Sequence, residues 1–165
     1  MNLFDKLFKN DFISDLKDTD IVSPVTGKMI SPKEIKDNVF SEEIIGKTIG
    51  FIPSEGVVVS PVSGKIVSLF PTYHAIGIEG NDGNSYLVHI GIDTVSMNGN
   101  GFKAFVEKDQ HVHAGQKIVS VDLQKIVKSG LDPTVMLIVA SLGSGDSKVN
   151  YIDYQDVVRG DRINF

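Results

Sequence analysis

The chain carries four histidines, at 74, 89, 111 and 113, and no cysteine. The lack of thiols excludes disulfides, cysteine–zinc sites, iron–sulfur clusters and thiol catalysis. Imidazole is then the most versatile side chain left for chemistry near neutral pH. His74 lies in Tyr73-His74-Ala75-Ile76-Gly77-Ile78-Glu79, and His89 in Ser85-Tyr86-Leu87-Val88-His89-Ile90-Gly91-Ile92. Between them stands Gly80-Asn81-Asp82-Gly83-Asn84, where Asp-Gly is a strong two-residue hairpin signal. With Asp82-Gly83 as the loop, Asn81 faces Asn84, His74 faces Gly91 and Ile76 faces His89. Both rings then share one sheet face as diagonal neighbours with Cα atoms roughly 7–8 Å apart. A slip of one residue would send them to opposite faces.

Such a pair supports three readings. Each ring can satisfy a backbone group inside a packed core. Two imidazoles on one face also supply half of a tetrahedral zinc site. The third reading is phosphoryl transfer, in which a neutral imidazole nitrogen attacks phosphorus and the second ring donates to the phosphoryl oxygens. An unperturbed pKa of about 6.5 leaves most of the imidazole neutral at cytoplasmic pH. The residues after His89 favour this third reading. Gly91 lets backbone approach closely, and Thr72 and Asp93 bring polar groups near the rings. His111 and His113 fall in the polar connector Asp109 to Gln116 and read as surface residues.

The rest of the chain must position this pair. Its 165 residues fit one domain, and 41% hydrophobic with 22% charged residues is ordinary for a soluble globular protein. Sixteen Lys and Arg against 21 Asp and Glu give a net charge of −5, so nucleic acid is not an expected partner. No apolar run reaches the ~20 residues of a membrane span and no secretory signal is visible, so the expected compartment is the cytoplasm. Short β-branched runs are punctuated by Gly, Pro, Asn and Ser: Gly56 to Val59, Lys65 to Val67, Tyr86 to Ile90, Gln116 to Val121, Val135 to Val139 and Arg162 to Phe165. This pattern predicts an all-β, antiparallel sandwich or barrel-sandwich, with short helical turns near Pro32 to Lys36 and Leu123 to Lys128. Ser23-Pro24-Val25-Thr26-Gly27-Lys28-Met29-Ile30-Ser31 echoes Ser60-Pro61-Val62-Ser63-Gly64-Lys65-Ile66-Val67-Ser68, which suits two similar β-units facing each other. Residues 1–20 read as a mobile amphipathic tail, with Leu3, Phe4, Leu7, Phe8, Phe12 and Leu16 at helical spacing. Weak contact with a membrane surface is the sharper reading of that tail. Residues 21–165 read as the single domain, with Leu142 to Ser147 a Gly/Ser-rich surface loop.

The block His89-Ile90-Gly91-Ile92-Asp93-Thr94-Val95, followed by Gly99-Asn100-Gly101-Phe102 and preceded by Thr72-Tyr73-His74, resembles the active-site motif of the glucose-type Enzyme IIA proteins of the bacterial phosphotransferase system. Ser23 to Gly27, Asp37 to Phe40, Ser60 to Gly64 and Gly115 to Leu123 look like further family segments. The resemblance implies a phosphocarrier with no required cofactor. His89 would take a phosphoryl group on Nε2 from phospho-HPr. His74, oriented by Thr72, would support its transfer to the IIB domain of a sugar permease. Asp93 and Asp37 would flank the site and meet arginines of these partners. Val39, Phe40, Ile44, Ile45, Phe70, Leu87 and Val95 would form an apolar ring around it, which would exclude water from a hydrolysable phosphohistidine. In the unphosphorylated state the family's members can also restrain other transporters or enzymes. In one such contact His74 and His89 would hold zinc together with a partner's carboxylate. Ser68 and Ser96 stand where charged residues are expected.

Two other classes fit the residues less well. A lysostaphin-like zinc peptidase needs His-x-x-x-Asp with a separate His-x-His, but the fourth residue after His74 is Ile78. A lipoyl or biotinyl carrier needs a hairpin lysine, and Asp82-Gly83 offers none.

Overall fold

The computed structural model describes residues 16–143 and 148–165. The tail expected over residues 1–20 therefore lies mostly outside the described residues, as does most of the loop expected at 142–147. Among the described residues, eleven strands follow in chain order. They are β1 (Gly27–Ile30), β2 (Lys47–Pro53), β3 (Val57–Val59), β4 (Gly64–Leu69), β5 (Ala75–Gly80), β6 (Ser85–Ile90), β7 (Phe102–Ala104), β8 (His111–Val112), β9 (Lys117–Val121), β10 (Val135–Ser141) and β11 (Asp156–Val157). Two short helices, α1 (Asn38–Ser41) and α2 (Leu123–Lys128), and 3-10 turns at Pro32–Glu34 and Thr94–Met97 complete the described elements.

The strands form a large sheet ordered β11-β1-β2-β10-β6-β5-β4-β8 and a small sheet ordered β3-β9-β7. All the pairings are antiparallel. The main core joins both sheets: Val58, Ile118 and Val119 pack with Phe51, Ile78, Tyr86, Val88 and Leu137. This is the expected all-β antiparallel sandwich. The internal echo has a structural counterpart. Ser23 and Ser60 are buried, and each hydroxyl donates to the carbonyl two residues on, Val25 and Val62, at 2.7 Å. The two units also bond reciprocally, Val22 N–H to Pro61 O and Val59 N–H to Pro24 O, both at 2.8 Å.

β10 explains its own continuous apolar run. Val135, Leu137 and Val139 enter the main core, while Met136 and Ile138 enter a second cluster with Ile30, Ile35, Phe40 and Ile92 on the other face of the sheet. A strand buried on both faces loses the alternating pattern. The second cluster is roofed by the segment from Ile30 through α1. Gly50 of β2 faces it, and a Cβ there would stand 2.9–3.0 Å from Ile30 and Ile35 side-chain atoms. That glycine lets the roof close down, and it also masks β2 as a strand in the sequence.

Several expectations are corrected. β2, β7 and β11 are strands that the sequence pattern does not predict. Arg162 to Phe165 is not a strand; its bridges, Val22–Arg162 and Tyr151–Asn164, are isolated. The turn expected at Pro32 to Lys36 is confined to Pro32–Glu34, and α1 follows it. His111 opens β8 rather than lying in a bare connector, although His111 and His113 are both exposed.

Candidate functional site

His89 is placed by the pleat of β6. Tyr86, Val88 and Ile90 point into the main core, so Leu87 and His89 point to the opposite face. There Met136 pairs directly with His89 and Ile138 with Leu87. Phe40 lies with its ring centroid 4.8 Å from that of His89. The second cluster is thus the platform for this imidazole. Phe40 sits there because Asp37 caps α1, its carboxylate accepting from Val39 N–H at 2.9 Å.

The hairpin between the two histidines differs from the expected one by a residue. It closes with Asn81, Asp82 and Gly83. Glu79 pairs with Ser85, Gly80 N–H bonds Asn84 O, and Gly83 adopts a φ of 86°. This is the three-residue loop with a left-handed glycine. The Asp82 carboxylate accepts from Asn84 N–H and from the Tyr86 hydroxyl, contacts that favour the longer loop. Ala75, not Ile76, therefore faces His89.

The expected consequence of such a slip does not follow. His74 stands one residue before the β5 ladder, directly after Tyr73 with its φ of 58°. Strict alternation of faces ends there. The two imidazoles meet with centroids 5.2 Å apart and planes at 81°.

Each ring is anchored at Nδ1. His89 Nδ1 lies 2.8 Å from the Gly91 carbonyl oxygen. A carbonyl can only accept, so Nδ1 carries the hydrogen and Nε2 of the neutral ring bears a lone pair. His74 Nδ1 bonds the Thr72 hydroxyl, and Phe70 lies edge-on at 5.4 Å. Burial lowers the pKa of His74. Burial, reinforced by the neighbouring His74, lowers that of His89 to about 4, against opposing contributions from the Gly91 carbonyl, Asp37 and Asp93. Both rings are neutral at pH 7. The pair therefore offers one nucleophilic nitrogen beside a second imidazole whose hydroxyl partner can either donate or accept.

The surroundings separate into rim and floor. Val39, Ile44, Ile45, Phe70 and Val95 are exposed apolar side chains on the segments that border the rings. Asp37 is half-buried and Asp93 exposed, the latter at a φ of 61° that turns β6 into the 3-10 turn Thr94–Met97. Phe40 and Leu87 do not stand with the exposed ring. Phe40 is buried in the second cluster and Leu87 is partly buried against it, because the roof segment covers both. His111 and His113 are not part of the site. Ala75, Met136 and the Gly91 carbonyl escaped sequence reasoning, because small, apolar and backbone groups announce no chemistry. Among the described residues, no group of three or more His, Cys, Asp or Glu could hold a metal ion.

Fold and site together define a β-sandwich that presents a pair of neutral histidines within an apolar rim. Residues 19–144 match the family model of the phosphoenolpyruvate-dependent sugar phosphotransferase system, EIIA 1. The chain is 44% identical over 137 residues to a PTS system glucose-specific EIIA component of Bacillus cereus, covering 81% of this chain and 82% of that one. It is 39% identical to a PTS system glucose-specific EIICBA component of Staphylococcus saprophyticus, a match covering 88% of this chain and spanning 21% of that longer protein. The solved glucose permease IIA of Mycoplasma capricolum superposes with a TM-score of 0.80 at 36% identity, covering 88% of this chain and 93% of that one. The chain belongs to the EIIA family of the sugar phosphotransferase system. The zinc-peptidase alternative finds no support in these relatives.

Proposed function

We propose that this chain is a phosphocarrier that accepts a phosphoryl group on His89 from phospho-HPr and passes it to the IIB domain of a glucose-type sugar permease. The observation that carries the reading is the tethering of His89 Nδ1 to the Gly91 carbonyl beside a second neutral imidazole. In acceptance, the Nε2 lone pair forms a bond to phosphorus while the phosphorus–nitrogen bond of the donor phosphohistidine breaks, its electron pair returning to the donor ring. The phosphorylated ring keeps its Nδ1 hydrogen, and its positive charge is stabilised by the Gly91 carbonyl. His74, oriented by Thr72, donates to phosphoryl oxygens as charge shifts. Asp37 and Asp93 meet cationic groups of the visiting protein, and the exposed apolar side chains seat it and keep water from the phosphohistidine. In the handover the phosphorus–nitrogen bond to His89 Nε2 breaks, its electron pair returning to the ring, as a nucleophile of the IIB domain bonds the phosphorus. This work belongs to the cytoplasmic side of the membrane; among the described residues no helix is long and apolar enough to cross one. Without phosphate, the same face would suit docking to other transporters or enzymes. A zinc ion shared there would find His74 and His89 and would take its remaining ligands from the partner.

The test is reconstitution with phosphoenolpyruvate, Enzyme I and HPr, followed by mapping of the label. An acid-labile, base-stable label on His89 is expected. His89→Ala should take up none, and His74→Gln should take it up but fail to pass it to IIB. Normal labelling of His89→Ala overturns the assignment.

A further inference from the structure

The group that meets His89 Nδ1 is a backbone carbonyl, so the orientation of one amide decides which nitrogen of the ring is left bare. That amide joins Gly91 to Ile92. Its oxygen accepts from His89 Nδ1 at 2.8 Å, and its N–H donates to the Asp132 carbonyl at 2.9 Å. An amide whose N–H is bonded is a stronger acceptor at its oxygen. The preceding amide is held as well, with Gly91 N–H donating to Thr134 O at 2.9 Å. Both bonds lead to the loop Asp132-Pro133-Thr134, just before β10.

That loop is built around one carboxylate oxygen. Asp132 Oδ1 accepts from Thr134 N–H at 2.9 Å and from the Thr134 hydroxyl at 2.6 Å. Pro133 between them has a fixed φ and no N–H of its own. From the other side Thr94, fully buried, donates its hydroxyl to Ile90 O. Its methyl would stand 2.3 Å from a Cβ on Gly91. Gly91, at a φ of 78°, is thus enclosed between Thr94 and the Asp132 carbonyl.

We propose that Asp132, acting through Thr134, is a positioning residue for phosphoryl acceptance: it fixes the loop that holds the Gly91–Ile92 amide, and so keeps the hydrogen of His89 on Nδ1 and Nε2 bare. This role deepens the phosphocarrier reading and rests on it. Asp132 touches neither ring and exchanges no proton; it sets the tautomer through two amides.

The experiment measures the His89 tautomer by 15N NMR in the free protein at pH 7, together with the rate of labelling by phospho-HPr. In Asp132→Ala the ratio of Nδ1–H to Nε2–H forms should fall about threefold to tenfold, the size expected when an ordinary hydrogen bond is weakened. The maximal labelling rate should fall with it, while the phospho-HPr concentration for half-maximal rate stays unchanged. Asp132→Asn retains Oδ1 and should restore both. Thr134→Val should shift the ratio in the same direction by less. The His74 tautomer, set by Thr72, should not move. An unchanged His89 ratio in Asp132→Ala, or in Thr134→Val should Asp132→Ala fail to fold, overturns the proposal, as does an Asp132→Asn protein as perturbed as Asp132→Ala. The tautomer needs no phosphoryl donor to be read. A wild-type protein that is never labelled on His89 therefore overturns the phosphocarrier reading separately.

Discussion

A histidine that attacks phosphorus must be unprotonated, and its bare nitrogen must be the one that faces the donor. His89 meets the first condition through burial and through the like-charge repulsion that a protonated His74 would add, which hold its pKa near 4. A titration of His89 followed by NMR should therefore show a midpoint far below the ~6.5 of free imidazole; a midpoint above 6 would contradict this environment. Stability is linked to the same shift. Between pH 6.5 and pH 4 the unfolded chain binds a proton at this position that the folded chain refuses, so stability rises with pH across that window and is lost as pH falls through it. With the ring partly exposed, the loss is on the order of 2 kcal/mol. His89→Gln, which removes the titrating group, should flatten the slope between pH 6.5 and 4, as measured by urea midpoints. An equal slope in both proteins would place the acid sensitivity elsewhere. His74, also lowered by burial, pushes in the same direction and remains in both.

At the scale of the element, the end of β6 matters most. Gly91 turns the chain at a positive φ, so its carbonyl comes back to His89. An alanine there would meet the Thr94 methyl at 2.3 Å and the Asp132 carbonyl at 3.1 Å. Gly91→Ala should cost about 2–4 kcal/mol through backbone strain and overpacking. A denaturant midpoint equal to wild type would show that the turn is softer than its contacts indicate. The motif around His89 made this glycine visible in the sequence, but not its reason. The strands rich in Val and Ile are legible from their β-branched runs, whether one face is buried, as in β6, or both, as in β10. β2 was not, because Gly50 interrupts its pattern for the sake of packing against Ile30 and Ile35. The hairpin register was missed by one because Asp82 has partners two and four residues ahead, at Asn84 and Tyr86, which a dipeptide signal does not encode. The histidine pairing survives that shift because His74 directly follows Tyr73 at its left-handed φ, before β5 begins, where alternation of faces ends. Burial of Phe40 under the roof segment depends on contacts distant in the chain, so its place in the floor rather than the rim could not be read locally.

For the whole molecule, the sandwich brings three separate segments to one face: 37–45, 70–74 and 89–97. Each contributes at least one exposed apolar side chain, and carboxylates stand among them, Asp37, Glu42 and Glu43 in the first segment and Asp93 in the last. Such side chains contribute little to folding, since water still covers much of them, and gain their burial only when a partner docks. Ile44 is the clearest case, at 66% exposure. Ile44→Asp should leave the unfolding free energy within about 0.5 kcal/mol of wild type. It should also raise the phospho-HPr concentration needed for half-maximal labelling roughly tenfold, as for an anchor lost from an interface centre. The maximal labelling rate should change little, because neither imidazole nor its tether is touched. A variant with unaltered concentration dependence would remove Ile44 from the docking face, and one that lost stability would show that its side chain is held by the fold more than its exposure indicates.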